Sequence, residues 1–291
     1  MSSLSVLLES LVDDARVFPP TSLSIDRALD EHLVHQGGAH AELLGRFLTP
    51  ASRLPELLEA VARRLGPAED IVIGLIADTG PDGIDPALAL LAEEPRLILG
   101  MVQIALPHDT TDPAGTARGL IRALPAVEGY VEVPRVPGWT QALEVIGDSA
   151  YGAKLRTGGP RAEDFPSVAE VAEFIIDCVH LEVPFTATAG LHHAVRHTDP
   201  TTGFTHHGFL NLLAATSAVA VGGADRDEVR RLLEVDDGTR LVTRLTRLDD
   251  TEATLTRSFF VAYGSCRIAE PVADLVALGV LDPVEVAPGQ R

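Results

Sequence analysis

The chain has 291 residues, 46% of them hydrophobic, which is enough to bury a large core without help from a partner. Its 42 acidic side chains outnumber 23 lysines and arginines, and the resulting net charge of −19 disfavours binding to nucleic acid or to an anionic membrane. The two cysteines make no disulfide framework, and the sequence shows neither a signal peptide nor an apolar run of membrane-spanning length, so we expect a cytoplasmic protein.

One pattern repeats along the chain: a short apolar segment, a loop and an amphipathic helical segment. The chain opens with a predicted helix over residues 3–13, expected to plug the bottom of a barrel. Eight predicted strands follow, at residues 15–18, 43–48, 70–77, 97–106, 129–133, 151–156, 184–188 and 259–263. Predicted helices come after them, at residues 24–35, 52–65, 86–93, 113–124, 139–146, 167–180, 208–221 and 271–278.

Eight strands that alternate with eight helices predict an α/β protein, a closed parallel (β/α)₈ or TIM barrel that spans residues 1–291 as a single domain. Residues 222–257 are predicted to be a charged helical insertion before strand 8, with helices at 225–234 and 239–250. A doubly wound open sheet is the alternative architecture, but its Gly-x-Gly-x-x-Gly turn after an early strand is missing. In a (β/α)₈ barrel, we expect the functional side chains where the strands end.

Lysine occurs once in the chain, at Lys154, whereas the other 22 permanently basic side chains are arginine. Arginine stays charged, but a buried lysine amine can lose its proton and act as a base or a nucleophile. On the predicted sixth strand, Lys154 and Arg156 share one face. The structural alternative is that Lys154 is a buried ion-pair partner kept for packing.

Strand alternation predicts further polar side chains inside the barrel, where a purely structural interior would be mostly branched aliphatic. They are Arg46, Asp78, Gln103, Glu132, Thr186, Thr188, Tyr263 and Ser265. We expect Glu132 to lie beside Lys154, so that its carboxylate favours a charged amine while burial and Arg156 favour loss of the proton. Gly158 and Gly159 either present backbone N–H groups to a phosphate or simply end the strand.

Five of the ten histidines lie within sixteen residues, at His192, His193, His197, His206 and His207. Neutral imidazole is a common metal ligand, so one interpretation is a divalent metal held by candidates His192, His193, His207 and Glu132. Another is acid/base catalysis by His192 and His193, with His207 and Asn211 contacting the substrate. The structural alternative is that some of these histidines cap the helix that begins near residue 208.

The stretch Lys154-Leu-Arg-Thr-Gly-Gly resembles the sixth-strand motif of Schiff-base barrel aldolases of the deoxyribose-phosphate aldolase kind, which is Lys-Thr-Ser-Thr-Gly. The resemblance covers about six residues, and it implies that Lys154 forms an imine with a carbonyl substrate. The seventh strand differs, because that family carries a second lysine where this chain has Thr186-Ala-Thr-Ala-Gly190. The acidity that the second lysine supplies would need another source, such as Arg156.

The leading prediction is therefore an aldolase-like lyase or an isomerase that acts on a small carbonyl metabolite bearing a carboxylate or phosphate. Lys154 would be the central residue, Glu132 or Asp78 would move protons, and no cofactor would be required. The alternatives are a metal-dependent hydrolase, lyase or isomerase that uses the histidines, and a non-catalytic barrel that binds a small molecule. The charged side chains inside the barrel count against the non-catalytic alternative, because burying charges without a ligand costs free energy. The sequence leaves open whether the protein forms a homo-oligomer.

Overall fold

The computed structural model describes residues 3–283, and eight of the strands in this range form a closed parallel barrel. The barrel strands are β1 (Val12–Asp14), β2 (Leu44–Pro50), β3 (Ile71–Ile76), β4 (Leu97–Ala105), β5 (Gly129–Glu132), β6 (Gly152–Arg156), β7 (Phe185–Thr188) and β10 (Phe260–Ser265). They follow one another in chain order around the barrel, which closes where β1 pairs with β10. The predicted (β/α)₈ barrel is confirmed.

Helices follow the strands and cover the barrel. They are α1 (Ser3–Leu8), α2 (Ile25–Gln36), α3 (Leu54–Arg64), α4 (Ile84–Leu91), α5 (Pro113–Ala123), α6 (Trp139–Gly147), α7 (Val168–His180), α8 (Phe209–Ala220), α9 (Arg226–Leu233), α10 (Gly238–Leu245), α11 (Asp250–Phe259) and α12 (Ala269–Ala277). Helix α7 shows the local cause of such a boundary, because Ser167 and Glu170 form a reciprocal capping box at its start. Within residues 3–283, none of these helices has the length and apolar character needed to cross a membrane.

The first strand is the largest error of the predicted element order. It was expected at residues 15–18, after a helix over 3–13, but α1 ends at Leu8 and β1 is Val12–Asp14. This strand carries two adjacent buried aspartates, Asp13 and Asp14. They are tolerated because Asp14 pairs with Arg16 at 2.5 Å and Asp13 accepts a 2.8 Å hydrogen bond from the backbone of Arg46.

The region between α8 and β10 holds more helix than was predicted. Helices α9 and α10 correspond to the two expected helices, and α11 is an additional one that runs directly into β10. A further antiparallel hairpin, of β8 (His197–Thr198) and β9 (Thr205–His206), lies between β7 and α8 and was not predicted. Both additions lie on the side of the barrel that β7 and β10 form.

A packed layer fills the middle of the barrel. Ala15, Leu48, Met101 and Tyr130 form this buried cluster, separate from the larger apolar core between the strands and the helices. Gly74 makes room for it, since a Cβ there would lie 2.5 Å from Leu48 Cδ2 and 3.0 Å from Met101 Cε. The layer separates the two ends of the barrel.

Candidate functional site

Three charged side chains from two neighbouring strands meet in the C-terminal half of the barrel. Glu132 ends β5 and lies opposite Lys154 of β6 in the strand register. Lys154 Nζ is 3.2 Å from Glu132 Oε2, and Arg156 Nε is 2.7 Å from Glu132 Oε1. Because alternate residues of a strand point the same way, both cations of β6 face the one carboxylate. The predicted proximity of Glu132 and Lys154 is confirmed.

Burial within this charge cluster falls toward the end of the strands. The side chains of Glu132 and Lys154 are 4% and 8% exposed, whereas that of Arg156 is 43% exposed. The cluster holds two cations and one anion, so it carries an excess positive charge at the point where it opens to solvent. Such a site favours either the loss of a proton from the Lys154 amine or the binding of an anion.

The electrostatic environment acts on Lys154 and Glu132 in different ways. Burial lowers the pKa of Lys154 below its usual value, with Glu132 opposing this shift and Arg156 adding to it. Burial alone would raise the pKa of Glu132, but Lys154 and Arg156 outweigh it and lower that pKa. The site therefore keeps an ionised carboxylate beside an amine that gives up its proton more readily than a free lysine.

Two inward-facing residues of β7 lie beside these charges. Thr186 is opposite Lys154 in the register and Thr188 is opposite Arg156. Thr186 is fully buried, and its hydroxyl has no hydrogen-bond partner in the described part of the chain. An unpartnered buried hydroxyl costs free energy, so Thr186 Oγ1 is available to a ligand that reaches Lys154. On β4, Gln103 is buried as well, and its amide lies 3.4 Å from the sulfur of Met101.

Asp78 lies at the same end of the barrel but at its rim. It follows β3, is exposed, and accepts hydrogen bonds from the backbone nitrogen of Ser52, at 3.0 Å, and from the Ser52 hydroxyl. These bonds fix the turn after β2. Asp78 and the charge cluster thus share an end of the barrel, but the hydrogen bonds of Asp78 go to Ser52.

His192 and His193 also lie at this end, because they follow β7. His192 Nδ1 is 3.2 Å from Ser265 Oγ, and its Nε2 is 3.8 Å from Cys266 Sγ. Burial lowers the pKa of His192 to about 4, which keeps it neutral at pH 7. His193 Nδ1 lies 3.0 Å from Asp274 Oδ2 on α12. Both histidines therefore pair with β10 and its following segment, while Lys154 pairs with Glu132.

The β8–β9 hairpin stacks its histidines on the loop after β6. The rings of His197 and His206 are stacked with centroids 5.0 Å apart, and His206 meets the ring of Phe165 edge-on at 4.5 Å. Gly158 packs under Phe165, because a Cβ there would lie 2.9 Å from its ring. Gly159 is close to Asp164 in the same way, at 2.5 Å. These glycines make room for neighbouring side chains, and phosphate binding by their N–H groups stays a prediction.

His207 and Asn211 lie behind the barrel wall, so the expectation that they face its mouth is wrong. His207 Nε2 is 2.8 Å from the carbonyl of Pro166, and burial lowers its pKa to about 4. The Asn211 side chain is fully buried and engaged with backbone. Its oxygen accepts from Arg196 N, and its nitrogen donates to the carbonyls of Leu232 and Val235, all at 2.8 to 2.9 Å.

Tyr263 and Ser265 were predicted to face the barrel interior, and this too is wrong. Tyr263 is fully buried in the helix layer, stacked on Phe209 of α8 with centroids 5.2 Å apart. The pairing of β10 with β7 shifts between Phe260 and Ala262, which reverses the alternation that was used for the prediction. Gly264 faces inward instead, since a Cβ there would lie 3.2 Å from Leu48.

Arg46 lies at the opposite end of the barrel from the charge cluster, which corrects its predicted place at the mouth. It is in the first half of β2, and its Nη2 is 3.5 Å from Glu128, which directly precedes β5. The predicted strand ended two residues too early, at 48 instead of Pro50, so Arg46 looked closer to the strand end than it is. Asp13 and Arg257, which lie near it, were not singled out from the sequence.

The metal candidates are dispersed rather than clustered. Across residues 3–283, no three or more His, Cys, Asp or Glu side chains are grouped so that they could hold a metal ion. His192, His193, His207 and Glu132 each have a different partner. The structure thus groups Lys154, Glu132 and Arg156 with Thr186 and Thr188, and leaves the histidines outside that group.

Comparisons of the sequence with profiles of protein families, with curated proteins and with solved structures give no match. The class of this protein therefore rests on its fold and its site. It is a (β/α)₈ barrel with a Lys–Glu–Arg cluster, buried except at Arg156, in the half where barrel enzymes carry their active sites, an arrangement compatible with an enzyme.

Proposed function

We propose that the protein is a lysine-dependent lyase that forms an imine between Lys154 and the carbonyl carbon of a small anionic metabolite. One observation carries this proposal: the sole lysine is buried against a carboxylate that also binds Arg156. Because Arg156 still neutralises Glu132 after Lys154 loses its proton, the neutral amine leaves no buried carboxylate unpaired. Burial and Arg156 both lower the pKa of Lys154 and so favour the neutral, nucleophilic amine.

In the proposed reaction, the Lys154 amine attacks the carbonyl carbon, and the carbonyl oxygen takes up two protons, one from the amine nitrogen and one from solvent, and leaves as water. The unpartnered hydroxyl of Thr186, opposite Lys154 in the register, would donate a hydrogen bond to that oxygen. The resulting iminium cation takes the place of the ammonium beside Glu132. It accepts the electron pair of the bond between the α and β carbons while the β-hydroxyl loses its proton to Glu132 and becomes the carbonyl of the departing fragment, which leaves an enamine on Lys154. Protonation of the enamine at the α carbon and attack by water then release the second product and the free amine, and bond formation is the reverse.

The charge and exposure of the cluster support an anionic substrate. Arg156 is the most exposed of the three side chains, and guanidinium groups bind carboxylate and phosphate well. A substrate that places its carbonyl at Lys154 and its anionic group at Arg156 would neutralise the excess positive charge of the cluster. The proposal needs no metal for carbon–carbon bond cleavage, because the iminium is the electron sink.

Reductive trapping tests the imine directly. The protein is treated with borohydride in the presence of a panel of small aldehydes and keto acids, and the adducts are mapped by mass spectrometry. The expected result is a single internal adduct at Lys154, besides any reaction at the α-amino terminus. Arg118→Lys adds an exposed lysine as the matched control, and it should label far less than Lys154 at limiting carbonyl.

Lys154→Arg separates an imine from a merely electrostatic role. Arginine keeps the positive charge but cannot act as the nucleophile, so turnover of a trapped substrate should disappear. Thermal unfolding must be measured in parallel, because the larger guanidinium has to fit beside Glu132. A folded Lys154→Arg protein with near-normal turnover would reject the proposal and leave Lys154 as an anion-binding or structural residue.

A further inference from the structure

A second cleft opens at the N-terminal end of the barrel, on the other side of the packed middle layer from Lys154. Its volume is about 380 Å³, within the range of about 300–1,000 Å³ that is typical of small-molecule sites. Ser10, Arg46 and Arg257 supply polar groups to its walls, and Leu44, Val72 and Val261 supply apolar ones. Val72 is 42% exposed there.

Arg257 is a half-buried cation without an ion pair among residues 3–283. It lies near the end of α11, and Nη2 donates a 3.0 Å hydrogen bond to the carbonyl of Glu9. Nη1 is buried with no hydrogen-bond partner among residues 3–283, and Asp13, which forms no ion pair with this guanidinium, is the acidic group that most raises its pKa. Burial lowers the pKa of Arg257 to about 10. A guanidinium nitrogen buried without a partner is destabilising, and a bound oxyanion would supply that partner.

Arg46, in the same cleft, is only loosely paired. Its Nη1 is 3.6 Å from Asp13 Oδ2, and its Nη2 is 3.5 Å from Glu128 Oε1, both longer than a charge-assisted hydrogen bond. Gly100 leaves space for it, since a Cβ there would lie 3.0 Å from Arg46 Nε. Arg46 is also close enough to lower the pKa of Arg257 by repulsion.

None of the acidic groups around the cleft forms an ion pair with Arg257 within residues 3–283. Asp13 is buried, its Oδ2 has no hydrogen-bond partner among the described residues, and burial raises its pKa to about 6 despite Arg46. Glu128 is largely exposed and also accepts a 3.2 Å hydrogen bond from Tyr130. Glu9 offers Arg257 its backbone carbonyl. Nη1 of Arg257 therefore remains without a partner, beside the loosely paired Arg46, in a cleft large enough for a ligand.

We propose that this cleft binds a small oxyanion, a phosphate or carboxylate group, between Arg46 and Arg257. The apolar walls at Leu44, Val72 and Val261 would contact a short hydrocarbon part of the same ligand. The packed layer of Leu48, Met101 and Tyr130 lies between this cleft and the charge cluster. The site is thus separate from the one proposed for catalysis, and it does not depend on that proposal.

Thermal unfolding and calorimetric titration with inorganic phosphate and with butyl phosphate test the cleft, with sodium chloride holding the ionic strength constant. Saturable binding and a raised Tm are expected with both anions. Arg257→Gln should weaken binding by about tenfold or more, since hydrogen bonds to charged groups are lost. Arg118→Gln, at an exposed arginine, is the matched control and should leave binding unchanged. If butyl phosphate binds more tightly than inorganic phosphate, the natural ligand is a metabolite with a hydrocarbon part beside its anionic group. If the two bind equally, the natural ligand is the free anion.

A second variant covers the case in which Arg257→Gln does not fold. Val72→Glu places a carboxylate at an exposed position of the cleft wall and keeps both arginines. It should raise the Tm without phosphate and remove the response to phosphate, whereas Val72→Gln should keep that response. If the wild-type protein responds to neither anion, or if Val72→Glu responds to phosphate as the wild type does, the proposal is wrong.

Discussion

Lys154 binds one oxygen of Glu132 and leaves the other oxygen to Arg156, so the lysine is the replaceable partner of a carboxylate that is already paired. This relationship makes the protonation state of Lys154 sensitive to each of its neighbours. Arg156 lowers the pKa of Lys154 and Glu132 raises it, on top of the larger effect of burial. The cluster can therefore be altered one charge at a time.

Arg156→Gln should raise the pKa of Lys154, and Glu132→Gln should lower it further, because each substitution removes one of these opposing charges. Reductive methylation with ¹³C-formaldehyde gives the only lysine its own NMR signal, distinct from that of the terminal amine, and its chemical shift can be titrated directly. The wild-type midpoint should lie below about 10.4, the value of a free lysine. A midpoint unchanged in both variants would show that neither neighbour acts on the amine.

Glu132→Gln should destabilise the protein at pH 7 by about 3–5 kcal/mol, because it leaves two cations without their buried partner. Lys154→Met in the same chain should recover part of the loss, which chemical denaturation of the single and double variants measures as a coupling free energy. Purely additive losses would mean that the ion pair contributes nothing.

The same carboxylate predicts a pH dependence. The pKa of Glu132 is lower in the folded protein than in the unfolded chain, so its stabilising contribution is complete above the unfolded value of about 4.3. That contribution should decline as the pH falls through the folded value. Denaturation at several acidic pH values should show a smaller difference between the wild type and Glu132→Gln as the pH falls.

Thr186→Val tests whether the unpartnered hydroxyl serves a ligand. Removing a buried hydroxyl that has no partner should leave stability unchanged or raise it by about 1–3 kcal/mol. The yield of the trapped imine should nevertheless fall, because the oxygen that leaves as water loses its donor. Trapping at the wild-type rate in a folded variant would remove Thr186 from the proposed mechanism.

Tyr263→Phe tests the corrected position of that side chain. The Tyr263 hydroxyl is buried in the helix layer with no hydrogen-bond partner among the described residues, and phenylalanine keeps the ring that stacks on Phe209. The Tm should stay the same or rise, and trapping at Lys154 should be unaffected. Loss of trapping in a stable variant would place Tyr263 back in the active site.

Asp13→Asn should stabilise the protein at pH 7.5 relative to the wild type. The pKa of Asp13 is raised from 3.8 to about 6 by burial, so the folded state holds the proton more tightly than the unfolded chain does. Stability therefore falls as the pH rises between these values, by about 3 kcal/mol at about 1.4 kcal/mol per unit. Asparagine still accepts from Arg46 N, so the difference between variant and wild type should shrink below about pH 6. A difference independent of pH would contradict this prediction.

Hydrophobic periodicity was sufficient to predict most of the barrel. Long apolar strands such as β3 and β4, and helices with caps such as α7, follow from local sequence alone. The first strand did not, because Asp13 and Asp14 are compatible with a buried strand only through arginines that tertiary contacts bring near them. A shift in strand register explains only part of the remaining mistakes in the site.

Lys154, Glu132 and Arg156 were grouped correctly because β5 and β6 are regular and adjacent, so alternation holds along both. Tyr263 and Ser265 were misplaced because β10 contains an irregularity that no residue pattern announces. Asn211 was misplaced for another reason. Its hydrogen-bond partners lie in the insertion, and a pairing between distant segments cannot be inferred from local spacing.

Helix α8 is buried on every side: all residues from Phe209 to Val219 are buried, and α7, α9, α10 and α11 contact it. A typical barrel helix has one apolar face against the strands and one polar face exposed to solvent. Such a helix could not pack under a second layer of helices unless apolar residues replaced its polar ones. A shortened chain that lacks α9 and α10 would expose the hydrophobic surface of α8 and would leave Asn211 without its hydrogen bond to Leu232. We expect such a chain to aggregate rather than to fold as a smaller barrel.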